Sequence, residues 1–501
     1  MKRRVVLVIM DGWGLRDRDY GNAIRAAKTV NFERLWRSYP HAVLISAGEM
    51  VGLPKGQMGT SEVNHLTIGA GRVVFQDLVR INRAVRSGKF FENKTIVKVM
   101  NKVKRKGSVL HLMGLVSDGG IHSHYSHLYA LLKLAKDKGL DKVVVHVITD
   151  GRDTTTRRGL GFVEDLEEYM EKLGVGEIAD VGGRYYIMDR DRNWDRVDKA
   201  YNKLVGRKGK ECSSASLAVQ ESYEKKVTDE FIKPMLVKTS LGKEARIKKG
   251  DGVIFFNFRN DRPRQIMERF LKKGPKGVDW VTMTQYHPDY PVGIAFPQVK
   301  LSNSLGEILS KKGIKQLRVT ETEKLAHMTF FLSCKREELF EKEDRIMLDS
   351  HSDIATHDEK PEMRAEDITR EMVQAMEAKS HEVIVANICN PDMVGHTGNF
   401  KATIKAIEVV DKAIGEIAKV GLKQGYEMII TADHGNAEEM RDEKTKEMLT
   451  AHTTNPVPII LVSKRFNKLK RLRGNLVDIA PTILKMMGIK QPEEMTGESL
   501  V

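Results

Sequence analysis

Cysteine is scarce. The 501 residues hold three, Cys212, Cys334 and Cys389, far apart and without a CxxC spacing. That excludes a disulfide framework and a thiolate zinc site and fits a reducing cytosol. Long apolar runs are missing too: nothing approaches the roughly 18 residues of a membrane span. The opening MKRRVVLVIMDGWG breaks at Asp11 with no small-residue cleavage site, so it reads as a first buried strand rather than a leader. Aromatics make up only 6%, and no RNA-binding signature interleaves with the basic patches KVKRKG and FNKLKRLRGN, which therefore read as solvated faces rather than a nucleic-acid surface. No internal repeat, low-complexity tract or Pro/Ser-rich linker marks a boundary between sequential domains.

What is present is length and charge. At 41% apolar side chains, 501 residues make a folded chain of two large domains, or one domain interrupted by another. The formal charge of +15 points to nucleic acid, a membrane surface or anionic metabolites as partners.

Short apolar runs bounded by Gly or Asp alternate with amphipathic stretches, the signature of βα units around a parallel sheet. Val5 to Met10, Val109 to Val116, Val143 to Thr149, Val253 to Phe258, Val383 to Cys389, Met428 to Ala432 and Ile459 to Val462 read as strands buried on both faces. Tyr125 to Lys138, Glu164 to Leu173 and Asn399 to Lys423 read as helices; in the last, Phe400, Ile404, Ile407, Val410, Ile414 and Ile417 share one face.

In open α/β sheets functional residues gather past the carboxyl ends of strands. Asp11 follows VVLVIM, Asp392 and His396 follow VIVANICN, Asp433 and His434 follow MIIT, and His452 precedes NPVPIILV. Asp and neutral imidazole suit Mn, Zn, Fe or Co better than calcium. A single carboxylate here is equally a helix cap. Three carboxylates and three imidazoles together furnish two metals, a clamp for phosphoryl transfer. In MGTSEVNH the bland reading of Ser61 is a helix N-cap; beside two metals its hydroxyl, its pKa lowered by coordination, becomes a nucleophile.

The middle of the chain is rich in arginine: DGRDT with Arg152 and Asp153, GGRYYIMDRD with Arg184 and Arg190, NFRNDR with Arg259 and Arg262. The planar guanidinium grips phosphate or carboxylate in bidentate fashion. For any one arginine a surface ion pair is the simpler reading, but FFNF is a buried strand that delivers two to its end. SDGGIHSH adds His122 as a candidate proton donor or acceptor, and TETEKLAH places Lys324 after a strand as a candidate for the phosphate. Acidic and His motifs lie at the two ends of the chain and arginine motifs in the middle, which suggests one domain made from both termini with a second inserted.

Together MDGWG, QMGTSEVNH, IGAGR, SDGGIHSH, DGRDT, GGRYYIMDRD, VIFFNFRNDR, TETEKLAH, NPDMVGHTG, TADHGNAE, AHTTNPVP and the terminal TGESL closely resemble, in order and nearly end to end, the cofactor-independent (2,3-bisphosphoglycerate-independent) phosphoglycerate mutases of the alkaline phosphatase superfamily. The resemblance implies an α/β fold: an alkaline-phosphatase-like phosphatase domain with a mainly parallel sheet, residues 1–76 and 299–501, interrupted by an inserted α/β transferase domain, residues 77–298. It implies interconversion of 3-phosphoglycerate and 2-phosphoglycerate through a phosphoserine, with two divalent ions, Mn2+ first and Co2+, Mg2+ or Zn2+ as alternatives. Carried over position by position, Ser61 is the nucleophile; Asp11, Ser61, Asp433 and His434 hold one metal, and Asp392, His396 and His452 the other. His122, Arg152, Asp153, Arg184, Arg190, Arg259, Arg262 and Lys324 bind phosphoglycerate, with Asp153 as proton shuttle and Lys324 neutralising charge. A small-molecule substrate, no nucleic-acid or membrane partner, a monomer and a cytoplasmic setting go with this reading.

Some positions depart from the family pattern. GNSEVGH reads GTSEVNH, with Thr60 and Asn64 beside the nucleophile; Asn tolerates a left-handed backbone, so Asn64 need not distort the loop. FFNGG reads FFLSC. PSPKVATYD becomes DSHSDIATHD, whose His351 and His357 read as surface residues rather than extra ligands. The rival enzyme, another phosphomutase or a phosphatase of the same superfamily, would lack the matching middle.

The charge divides unevenly. Residues 77 to 298 hold 42 basic and 29 acidic side chains, or +13, and the terminal segments together 41 and 39, or +2. A basic insert suits a small trianionic substrate, although most of its surplus Lys has no catalytic assignment.

Overall fold

A computed structural model describes residues 3–206, 208 and 211–501. The chain forms two units, Met1–Gln76 with Lys300–Val501, and Asp77–Val299. Among the described residues no helix is long and apolar enough to cross a membrane.

The first unit is built on an eight-stranded sheet in the order Glu343–Leu348, Gln316–Glu321, Val383–Ile388, Val5–Met10, Glu427–Thr431, Val457–Val462, His41–Ile45 and Arg473–Asn475. The first five run parallel. Val5–Met10 is VVLVIM with every residue buried, as expected of a central strand covered on both faces. Val457–Val462, by contrast, is antiparallel to both neighbours. The sheet is thus mainly parallel, as expected, and the reversal has a use: the amino end of this strand lies at the edge where the parallel strands end, which is why His452 precedes its strand while the other candidate ligands follow theirs.

The helix Phe400–Gln424 is capped by the Asn399 side chain, which accepts from Ala402 N, and stops at Gly425, whose φ of 82° suits glycine. Its buried stripe runs through Ala406, Ile407, Val410, Ile414 and Ile417, whereas Phe400 and Ile404 are only half-buried. The core face is thus displaced from the expected one at the helix's first turns.

The second unit has its own eight-stranded sheet: Gly293–Ile294, Asp279–Thr282, Gly252–Phe255, Leu110–Leu115, Val143–Thr149, Glu177–Gly183, Met235–Val237 and Glu211–Cys212. The first six are parallel, and Met235–Val237 is antiparallel to Glu177–Gly183. The strand expected to reach Phe258 leaves the ladder at Phe255. Beyond it, the Asn257 side chain takes over, accepting from Leu115 N at 2.9 Å. The helix expected from Glu164 begins at Gly159, where Asp229, 70 residues on, accepts from Gly159 N at 2.8 Å; a cap that distant leaves no local signal.

Candidate active site

In the first unit four parallel strands end at one edge, and each is followed by a candidate residue: Asp11 after Val5–Met10, Asp392 in the short helix Asn390–Gly395 after Val383–Ile388, Asp433 and His434 after Glu427–Thr431, and Lys324 after Gln316–Glu321. Gly12, at φ 83°, lets the first of these turns lie against the second, since a Cβ there would come within 2.6 Å of Asp392 N.

Ser61 is the first residue of the helix Ser61–Ala70, not its cap. The cap is Thr60, whose hydroxyl accepts from Val63 N. Ser61 Oγ lies 2.8 Å from His434 Nε2, 2.8 Å from Lys324 Nζ and 3.5 Å from Asp11 Oδ1. Lys324 Nζ also contacts Asp11 Oδ2 at 3.1 Å and Asp392 Oδ2 at 2.7 Å. Burial works against charge on all three. The surrounding carboxylates nevertheless hold the Lys324 ammonium well above its usual range, and Lys324 with the neighbouring imidazoles holds Asp392 well below the usual carboxylate range. Asp11 goes the other way, raised by burial and by Asp433.

The imidazoles are oriented from behind. His452 Nδ1 lies 2.8 Å from Gly59 O and His396 Nδ1 2.6 Å from Thr450 O, so both donate there and leave Nε2 as a lone pair. These two Nε2 atoms are 3.1 Å apart and lie 3.2 and 3.1 Å from Asp392 Oδ1. Asp392 raises the pKa of both rings, which give it a hydrogen when protonated; in their neutral form the two Nε2 lone pairs and the carboxylate oxygen converge as the ligands of a cation do. His434 Nδ1 and Asp433 Oδ2 are buried with no hydrogen-bond partner. Among the described residues two groups are tight enough to hold an ion, Asp11 with Asp433 and His434, and Asp392 with His434 and His452. His434 belongs to both; His396 adjoins the second through Asp392 and His452. The residues fit divalent metal.

In the second unit the parallel neighbours Gly252–Phe255, Leu110–Leu115, Val143–Thr149 and Glu177–Gly183 end together. They lead into Arg259 and Arg262, His122, Arg152 and Asp153, and Arg184 and Arg190. Arg184 is 2% exposed and donates through Nη1 to Asp150 Oδ1 and Asp153 Oδ2, each at 2.6 Å. Arg190 and Arg259 meet the two oxygens of Asp261 at 2.9 and 3.1 Å. Arg152 lies 3.5 Å from Glu230. Arg262 donates to Met188 O at 3.3 Å; burial and the proximity of Arg184, Arg190 and Arg152 lower its pKa, so four guanidiniums crowd one place. His122 is nearly buried, 3.9 Å from Asp153 and 3.8 Å from Asp261, and burial with the Arg184 charge pushes it down to about 4, which keeps it neutral.

One reading of the departures changes. Asn64 is helical and buried; instead of serving a left-handed turn, its amide donates to Ser46 O and Asp433 O. His351 and His357 lie 3.6 Å from Asp353 and Glu323 and belong to neither ion-holding group. Cys334 and Lys335, where FFLSC departs from the family pattern, have φ of 59° and 69° and follow a π-helical turn, His327–Phe331.

Several participants had no place in the sequence reading. Asn436 Nδ2 donates to Asp392 Oδ1 at 3.0 Å, and Glu438 gathers Gly14 N, Asn436 N and Asn455 Nδ2. Asp150 and Asp261 pair the arginines. His65 and Asn387 lie behind the carboxylates. All but Asn387 fall in or beside the chemistry-bearing motifs, where a polar residue was the available signal; Asn387 sits inside the apolar run VIVANICN, one residue before the end of its strand.

Comparison with known proteins agrees along the whole chain. Residues 81–288 match the family described as BPG-independent PGAM N-terminus. A curated 2,3-bisphosphoglycerate-independent phosphoglycerate mutase of Moorella thermoacetica is 46% identical over 100% of this chain and 99% of its own length. A second, from Methanosarcina barkeri, is 48% identical over 100% and 98%. The crystal structure of Leishmania mexicana phosphoglycerate mutase at low cobalt concentration matches with a TM-score of 0.56 and 30% identity, covering 100% of this chain and 98% of that one.

Proposed function

Since the chain belongs to the 2,3-bisphosphoglycerate-independent phosphoglycerate mutases, and so interconverts 3-phosphoglycerate and 2-phosphoglycerate with the help of divalent metal, we propose that its phosphoryl group passes through Ser61. The observation that carries this is the setting of Ser61 Oγ, 2.8 Å from both His434 Nε2 and Lys324 Nζ at the start of a helix, where the backbone dipole also favours an anion.

Asp11, Ser61, Asp433 and His434 would hold one ion and Asp392, His396 and His452 the other, with Mn2+ first and Co2+, Mg2+ or Zn2+ as alternatives. When bound, the ions lower the pKa of the Ser61 hydroxyl and offset phosphoryl charge. Ser61 Oγ attacks phosphorus in line, its bond to phosphorus forms as the bond to the glycerate oxygen breaks, and Lys324 balances the charge that gathers at Oγ. The reverse step delivers the phosphoryl group to the other hydroxyl.

The second unit supplies anion recognition. Arg152, Arg184, Arg190, Arg259 and Arg262 offer forks for carboxylate and phosphoryl oxygens, with neutral His122 beside them. Asp153, held by Arg184, shuttles the proton between the two glycerate hydroxyls. In this division residues 1–76 and 299–501 act as the phosphatase domain and 77–298 as the transferase domain. The enzyme acts as a cytoplasmic monomer on a small-molecule substrate, with neither nucleic acid nor membrane as partner.

Purified protein with Mn2+ and no bisphosphoglycerate should isomerise 3-phosphoglycerate, lose that activity to EDTA and regain it with added Mn2+. Ser61→Ala should abolish it. Turnover that survives either EDTA or the substitution overturns the mechanism.

A further inference from the structure

Behind Ser61 and the two carboxylates of the same ion-holding group, a small set of buried side chains closes on itself. His65 lies one helical turn after Ser61 and is wholly buried. Its Nδ1 is 2.8 Å from the Ser61 main-chain oxygen and 3.4 Å from Asp433 Oδ2. Its Nε2 is 3.0 Å from Asn387 Nδ2, and the same amide nitrogen is 2.7 Å from Asp11 Oδ2. Asn387 lies at the end of the strand Val383–Ile388, between the strand that leads to Asp11 and Gln316–Glu321.

Counting hydrogens settles which atom donates. The amide nitrogen carries two hydrogens and has two acceptors within reach, Asp11 Oδ2 and His65 Nε2. The opposite orientation would set the amide oxygen against a carboxylate oxygen. Asn387 Oδ1 is left buried without a partner. An amide normally avoids this cost, and here it keeps both N–H groups on Asp11 and the imidazole. His65 Nε2 is therefore an acceptor, so the neutral ring carries its hydrogen on Nδ1, where it donates to the Ser61 carbonyl with Asp433 Oδ2 alongside.

We propose that His65 and Asn387 are positioning residues for the transfer step: Asn387 fixes the Nδ1–H tautomer of His65, and the pair holds the Ser61 backbone, Asp11 and Asp433 at fixed separation from behind. They join a helix start and the ends of two strands, Val5–Met10 and Glu427–Thr431, which no backbone hydrogen bond from Ser61 does directly. Outer partners of this kind are typically worth about 10 to 100-fold in metal affinity or activity, and a displacement of about 1 Å at a nucleophile costs about 100-fold in rate. The inference rests on the reading of Ser61 as nucleophile and of Asp11 and Asp433 as ligands.

The test uses the full chain. Asn387→Leu removes both donors at similar volume. His65→Gln and His65→Asn place an amide nitrogen near the positions of Nε2 and Nδ1 respectively, so only the second keeps a donor for the Ser61 carbonyl. Three readouts are followed: Mn2+ affinity by competition with a chromophoric chelator, kcat and KM for 3-phosphoglycerate, and the imidazole tautomer by nitrogen NMR of the Mg2+-loaded protein, with circular dichroism to count folded molecules. Asn387→Leu and His65→Gln should bind Mn2+ about tenfold more weakly and lower kcat about 10 to 100-fold with KM within about twofold. His65→Asn should recover most of both. Wild-type binding and turnover in Asn387→Leu, equal loss in the two His65 variants, losses that only follow the folded fraction, or an Nε2–H tautomer in the wild type would each overturn the proposal. A Ser61→Ala protein that still turns over would instead overturn the nucleophile reading, whatever the His65 and Asn387 variants do.

Discussion

Asn64 Nδ2 lies 2.7 Å from the main-chain oxygen of Asp433 and 3.0 Å from that of Ser46, so one buried amide ties the helix beginning at Ser61 to the turn bearing Asp433 and His434. Replacing it with alanine leaves two buried carbonyls without that donor, at about 1–3 kcal/mol for such a loss. Asn64→Ala should lower the urea-unfolding free energy by about 2 kcal/mol and weaken Mn2+ binding several-fold. Unchanged values in both measurements would show that the tie is idle.

The sheet strands were legible where they are continuous apolar runs, because burial on both faces removes any need for polar alternation. Val5–Met10 and Val143–Thr149 read directly as VVLVIM and VVVHVIT. His41–Ile45 and Glu177–Gly183 did not, since the first is only alternately buried and the second carries Asp180 and two glycines. Direction was invisible as well: nothing in VPIILV says that it runs against its neighbours. The candidate site was legible as ligand-type residues after strands, for periodicity marks where a strand ends. The residues that hold those ligands from behind, Asn387 and Glu438 among them, are set by contacts hundreds of positions away in sequence, and composition carries no trace of them.

Lys324 sits among carboxylates. Its ammonium is nearly buried between Asp11 and Asp392, and breaking a buried pair by removing one partner costs about 3–5 kcal/mol, since the other charge is left uncompensated. Lys324→Met should therefore destabilise the fold by a few kcal/mol while lowering kcat by about 100-fold or more, as expected when a charge placed on the transferring oxygen is lost. Thermal unfolding and steady-state rates check both. A stable, inactive protein would mean that Asp11 and Asp392 have other compensation, and an active one would remove Lys324 from the mechanism.

Arg184 separates structure from recognition. A single nitrogen, Nη1, serves both Asp150 and Asp153, so a lysine ammonium can replace that contact while losing the remainder of the planar fork. Arg184→Lys should stay folded, with a melting temperature close to wild type, and raise KM for 3-phosphoglycerate about tenfold or more. If KM is unchanged, Arg184 only braces the two aspartates.

The second unit contains a buried pH-sensitive chain that the transfer step does not use. Asp251 Oδ2, His111 Nε2 and Nδ1, His146 Nε2 and Nδ1, and Asp180 Oδ2 follow one another at 3.3, 2.9 and 2.6 Å, from the residue before Gly252–Phe255 across the three strands Leu110–Leu115, Val143–Thr149 and Glu177–Gly183. Burial, against the opposing pull of Asp251, pushes His111 from its ordinary 6.5 down to about 4, with His146 adding to the fall and Asp180 opposing it. In the unfolded chain His111 takes up a proton near 6.5, while the folded chain resists until about 4. Its contribution is therefore fully present above 6.5 and is lost as pH falls from 6.5 towards 4, with a size of the order of 3 kcal/mol. Urea unfolding at about pH 7.5 and about pH 4.5 should show this loss in the wild type, and His111→Gln, which cannot titrate, should show a shallower pH dependence by that amount. Equal slopes for the two proteins would mean that His111 changes its protonation no differently on folding than it does in water.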